Sequence, residues 1–115
     1  MRLPHWMSTP VRAGIVLALV LALVAAQTQP KLEATIFSYS GEDFVRTQTT
    51  LLTKDGQSAI NTKLDHDTPA YKALIQKRSY SGEATIFGRR YDANYAPLTS
   101  DDGRLTGALF VAVPK

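Results

Sequence analysis

Leu105-Thr106-Gly107-Ala108-Leu109-Phe110-Val111-Ala112-Val113 decides the fold class. Side chains alternate between the two faces of an extended chain. Leu105, Gly107, Leu109, Val111 and Val113 therefore share one face, and Thr106, Ala108, Phe110 and Ala112 the other. Neither face carries a charge and both are apolar enough to be covered, which marks a central strand. The turn before it, Ser100-Asp101-Asp102-Gly103, is a hairpin signal, because Asp and Gly accept the positive φ of a tight turn. It lacks the alternating oxygen ligands of a calcium loop.

Working back from this strand, short apolar runs recur between turn signals at intervals of roughly ten residues, the spacing of an antiparallel sheet. Strands are expected at 33–39, 44–52, 83–87, 89–98 and 105–113. Ser40-Gly41-Glu42-Asp43, Lys54-Asp55-Gly56 and Gly88 punctuate them. Residues 57–79 do not alternate. Within them Thr68 suits a helix cap, Pro69 suits the first turn, and Tyr71, Leu74 and Ile75 share a face. Two strands, a helical crossover and three strands make an α+β domain with a five-stranded antiparallel sheet. The pentapeptide Glu33-Ala34-Thr35-Ile36-Phe37 recurs as Glu83-Ala84-Thr85-Ile86-Phe87. The match stops at five residues, so it reflects two strands with one facing pattern and not a repeat architecture.

Ahead of this domain, residues 13–26 are an unbroken run of apolar or small residues behind Arg2, His5 and Arg12, with no amphipathic period. A helix of that length reaches roughly 21 Å, short of the roughly 30 Å of a bilayer's hydrocarbon and within the range of a signal-peptide core. Two readings stay open. A leader at 1–26 is cleaved after Ala26, leaving 27–31 as a polar linker and 32–115 as one domain; or residues 11–27 stay as an inner-membrane anchor with Arg2 and Arg12 in the cytoplasm. Both place the domain in the periplasm or another extracytoplasmic space.

The formal charge of the 115-residue chain is +3, but setting aside Arg2 and Arg12 leaves 11 basic against 10 acidic residues from Gln27 onward. With no basic stripe, a nucleic-acid partner is not expected. The chain has no cysteine, which excludes disulfides, thiolate metal sites and a thiol nucleophile. His66 is the only histidine after the leader, and no Ser-His-Asp order, nucleophile elbow or phosphate-cradling loop is present, so no enzyme is expected. Asp65-His66-Asp67 offers too few ligands of assured geometry for a metal and reads as polar loop. No cofactor is expected either.

Three stretches of the second half, Tyr80-Ser81-Gly82-Glu83-Ala84-Thr85-Ile86-Phe87-Gly88-Arg89-Arg90-Tyr91, then Tyr95-Ala96-Pro97-Leu98, then Asp101 to Val111, resemble the single Cache domain. Asp43-Phe44-Val45-Arg46 with Thr49 and Leu51, Asp55-Gly56 with Ala59, Thr62 and Leu64, and Pro69-Ala70-Tyr71 extend the resemblance upstream. It implies a PAS-like fold, of the type found in bacterial methyl-accepting chemotaxis receptors, whose curved sheet encloses a small-molecule pocket. The implied function is extracytoplasmic sensing of a small metabolite, often an organic acid, in chemotaxis or signal transduction. The chain departs from the family in ending at Lys115 where a receptor continues into a membrane span and output region. It also has only residues 27–32 where a long helix precedes the first strand, and Ala112 where glycine is common. An output partner, a membrane receptor or a second copy, is therefore expected.

Arg46 on one strand and Arg89, Tyr91 and Tyr95 on another, with Tyr71 and Tyr80, are the candidate ligand residues. A guanidinium fork binds a carboxylate through two donors, and phenols beside it suit an organic acid. The bland alternative pairs the arginines with Asp43 and Asp92 and makes the tyrosines half-buried sheet residues with wet tips. The rival function is a structural or protein-interaction module, or a receptor remnant, that docks through an uncovered sheet face.

Overall fold

A computed structural model describes residues 32–115; the leader at 1–26 and the linker at 27–31 lie outside the described residues. The elements run β1 (Glu33–Tyr39), β2 (Phe44–Thr49), α1 (Pro69–Leu74), β3 (Tyr80–Ile86), β4 (Arg89–Thr99) and β5 (Leu105–Pro114). They form one antiparallel sheet in the order β2-β1-β5-β4-β3. β5 is the middle strand, as the apolar character of both its faces predicts, and β1 occupies its expected span. Five antiparallel strands with one short helix agree with the PAS-like α+β expectation.

Opposed residues of neighbouring strands share a face, so the register sorts the sheet into two. One face carries Phe37, Phe110, Ala108, Ala112, Tyr91, Ala93 and Tyr95, all buried. Leu51, Ala59 and Leu64 from the β2–α1 connection, and Ala70 and Leu74 from α1, complete this core. Thr68 caps α1 by accepting a hydrogen bond from the Tyr71 backbone N–H at 3.2 Å, and Pro69 opens the helix, where its missing N–H costs nothing.

The opposite face carries Ile36, Leu109 and Val111 half-buried and Val113 at 47% exposure. No described helix or strand lies across it, since α1 puts Ala70 and Leu74 into the other face.

Two strand bounds differ from expectation by three residues, for local reasons, and the ends of β3, β4 and β5 by one. β2 ends at Thr49 and not at residue 52, because Thr50 turns its hydroxyl to Glu33 Oε1 (2.6 Å) and accepts from the Ala34 N–H (2.9 Å). β3 begins at Tyr80, three residues early, because Tyr80, Ser81 and Gly82 pair with Tyr95, Asn94 and Ala93.

The outer edge of β2 is closed by the connection that follows it. Arg46 N–H donates to the Thr62 carbonyl (2.8 Å), Asn61 N–H to the Arg46 carbonyl (2.7 Å) and Leu64 N–H to the Phe44 carbonyl (2.9 Å). An open strand edge offers unpaired backbone groups to any other chain. Here the same bonds hold residues 61–64 beside the core-side cavity.

Candidate functional site

A cavity of about 660 Å³ opens on the core face between the β2–α1 connection and the β3–β4 hairpin. Its floor includes Arg46, Tyr80, Tyr95, Ile86 and Phe87, and the residues on its other side include Lys63, Leu64, Asp65, Asp67 and Ala70. The volume is in the range of small-molecule sites. Small side chains at Ala84 and Ala70 leave room where larger ones would meet.

Arg46 sits in the middle of β2 and is 3% exposed. Its Nη1 donates to Thr62 Oγ1 (3.1 Å) and to the Lys63 carbonyl (3.0 Å), which fixes one edge of the guanidinium. The plane is flanked by Phe37 and Phe87, each ring centroid 5.2 Å from Cζ. Such contacts favour a cation but do not neutralise it. Nε is buried with no hydrogen-bond partner, and among the described residues no carboxylate forms an ion pair with Arg46. Burial pushes the Arg46 pKa down, partly countered by Tyr95. An arginine stays protonated across the physiological range in any case, so a positive charge is held inside without a counter-ion.

Phe87 reaches Arg46 through an unusual backbone. Ile86 and Arg89 close the β3–β4 hairpin around Phe87 and Gly88, at φ 49° and 81°. Two positive φ values are the signature of the hairpin turn that matches strand twist, and glycine or asparagine normally supplies them. A bulky side chain there is a strained choice, and the result is an aromatic ring on the guanidinium. The pair Phe87-Gly88 between two strands was the available sequence signal, but it marks the turn and not the ring's destination.

Tyr95 is 2% exposed, and its hydroxyl makes no hydrogen bond among the described residues. Burial raises its pKa to about 12, with Arg46 opposing and Tyr80 adding to the shift. The phenol is neutral and able to donate. Tyr80 gives its hydroxyl proton to the Glu83 carbonyl at 2.8 Å and stands 6.2 Å, ring to ring, from Tyr95.

The other candidates lie elsewhere. Arg89 and Tyr91 border a separate depression of about 600 Å³, with Glu33, Thr50, Lys54 and Gly88. Burial raises the Tyr91 pKa, with Glu33 adding and Arg89 opposing. Tyr71 donates to the Glu42 carbonyl (2.6 Å), stacks on His66 with centroids 4.1 Å apart, and meets Phe44 edge-on. It ties α1 to the β1–β2 turn and does not border the main cavity. Of the six candidates the cavity therefore gathers Arg46, Tyr80 and Tyr95.

Asp43, the alternative partner for Arg46, is taken by His66 Nε2 (2.7 Å) and Lys63 Nζ (3.3 Å). Those contacts, the histidine hydrogen bond foremost, hold its carboxyl below the usual range. Strict alternation from Arg46 would put Gln48 on the same face, but Gln48 lies on the opposite one. An extra residue, Thr47, bulges between Arg46, which faces Phe37, and Gln48, which faces Ile36.

A search of curated proteins found no match to the chain. A family model described as the Cache 3/Cache 2 fusion domain does match, over residues 23–115. With the strand order and the cavity on the core face, this match shows that the chain belongs to the Cache 3/Cache 2 fusion domain family.

Proposed function

We propose that this protein is a sensing module of the chemotaxis or signal-transduction type that binds a small organic acid, with the ligand's carboxylate on the free edge of Arg46. Cache domains are extracytoplasmic sensor modules that in general bind small molecules and do not catalyse reactions. The single observation that carries the ligand class is the buried guanidinium with Nε unpartnered and no counter-ion. Leaving a charge buried and unpaired costs several kcal/mol, roughly, and an incoming anion relieves that cost. Nε and Nη2 lie on one edge of the guanidinium and together form a two-donor fork, the geometry of bidentate carboxylate binding. The neutral Tyr95 hydroxyl supplies a further donor.

Isothermal titration of the purified full chain with a panel of short- and medium-chain carboxylic acids tests this. At least one acid binds, and Arg46→Ala weakens it by about 30-fold or more, corresponding to about 2 kcal/mol for a lost charged hydrogen-bonding pair. Absence of binding by every acid, or equal binding by the variant, overturns the reading.

The apolar face bearing Ile36, Leu109, Val111 and Val113 favours a second reading, a protein-interaction module. Light scattering on the full chain separates the two. A monomer that binds an acid supports sensing, whereas an assembly that binds none supports docking.

A further inference from the structure

Charge around the cavity is distributed unevenly. Of its bordering carboxylates, Glu83 is already taken by Arg90 (2.6 Å) and Lys115 (3.1 Å). Lys63 is likewise committed to Asp43 at 3.3 Å. What remains is one buried cation, Arg46, facing two carboxylates that form no ion pair among the described residues, Asp65 and Asp67. Asp65 spends one oxygen, Oδ1, on the Asp67 N–H at 2.9 Å. Its other oxygen and both of Asp67 accept no side-chain hydrogen bond and form no ion pair among the described residues, and both residues are exposed at the cavity's border. His66 between them turns instead to Asp43 and Tyr71.

We infer that the ligand carries a positively charged group as well as its carboxylate, with the carboxylate on Arg46 and the cation at Asp65 and Asp67. The inference rests on the Arg46 reading above and narrows it from organic acids at large to zwitterions. Both ends of the site point the same way. The unpartnered Nε at the buried end calls for an anion. Two uncompensated carboxylates at the open end attract a cation and repel a second carboxylate, because like charges at short range disfavour each other. A diacid would satisfy Arg46 and be penalised at Asp65 and Asp67. An uncharged tail would gain nothing there. The volume of about 660 Å³ accommodates a chain of several carbons between the two charged groups.

Titration of the full chain with four six-carbon probes tests the inference: hexanoate, adipate, norleucine and 6-aminohexanoate. They share a chain length and one carboxylate and differ in the second group and its place. The expected result is that the better of the two amino acids binds about tenfold or more tighter than hexanoate, and that adipate binds most weakly. In the double variant Asp65→Asn with Asp67→Asn the advantage of the amino acid over hexanoate disappears. Asparagine keeps the oxygen that accepts the Asp67 N–H, and both residues are exposed, so folding is not at stake. Glu83→Gln, whose carboxylate is already neutralised, leaves the preference intact.

Hexanoate or adipate binding as tightly as the better amino acid, or a preference that survives the double variant, overturns the zwitterion inference and leaves the Arg46 site standing. No binding by any of the four, nor by the wider acid panel, removes both.

Discussion

The core face around Arg46 and the sheet edge around Glu83 handle charge in opposite ways. At the edge, Glu83 is 43% exposed, and Arg90 and Lys115 both reach it, with Asp92 a further 3.8 Å from Lys115. Every charge there has a partner and water besides. On the core face one guanidinium is dry, flanked by rings and without a carboxylate. Exposed networks add little to stability because water already solvates their members. A buried unpaired charge subtracts from stability, and a protein keeps one where something else gains from it. The contrast therefore separates a solvated surface network from the buried charge on which the proposed ligand site rests.

The severest way to break both regions together is through β5, which connects them. Gly107 stands opposite Ser38 on β1, and a Cβ there would overlap the Phe37 carbonyl oxygen. Backbone cannot yield as a side-chain tip can. Gly107→Ala is expected to cost about 3 kcal/mol or more, or to prevent folding altogether. Thermal unfolding followed by circular dichroism checks it, and a variant within a degree of the parent would contradict the packing of β1 on β5.

Next in size is the change that tests the contrast directly. Arg46→Met removes the unpaired charge and keeps much of the volume between Phe37 and Phe87. Two hydrogen bonds are lost, but Thr62 Oγ1 still donates to the Ala59 carbonyl. The ligand-free protein is expected to gain about 1–2 kcal/mol, since exchanging buried ions for apolar groups is often stabilising. Carboxylate binding disappears at the same time. A loss of stability of that size would mean that Arg46 holds the fold together, and its assignment to ligand binding would weaken accordingly.

How far the sequence announced these regions depends on the distance over which each is determined. β1, α1 and the central place of β5 rest on local signals: alternation, Thr68 before Pro69, and a strand apolar on both faces. Arg46 was legible as a candidate because a guanidinium on one strand, with tyrosines on another, suits a carboxylate. The bulge at Thr47 was not, since it depends on how β1 and β2 come into register. Phe87 was hidden for the same reason: its ring is aimed by a turn whose second strand must first pair. Tyr71 matched the expected helix face, yet what that face meets is His66 and the Glu42 carbonyl, both settled by tertiary folding. Asp65 and Asp67 were visible as a polar loop, and their meaning changed only when the cavity put Arg46 opposite them.

A smaller change sharpens the picture of how the cavity's solvent side is held. Thr68 caps α1, and the segment just before it carries Asp65 and Asp67. Thr68→Ala is expected to cost about 1 kcal/mol through the lost cap. If α1 positions the two aspartates, the preference for an amino-bearing probe falls in this variant while hexanoate affinity holds. Calorimetry measures both together, and an unchanged preference would show that the loop keeps its shape without the cap.

The smallest effect belongs to the edge network, and it depends on pH. Arg90 first, then Lys115, lowers the Glu83 pKa from an ordinary 4.5 to about 2. A carboxyl whose folded-state pKa is depressed contributes stability above its unfolded value, and the contribution is lost as pH falls through the folded one. Glu83→Gln should therefore unfold slightly earlier than the parent near neutral pH. The two curves should converge as the pH drops from about 4.5 towards 2. Asp43 and Asp102 also have lowered pKa values and titrate in both proteins, so the difference between the curves isolates Glu83. Added salt should shrink the gap, because the partners are exposed. Arg46-dependent ligand binding, shielded from solvent, should lose proportionally less to salt, and an equal loss at both places would erase the distinction between a wet network and a dry site.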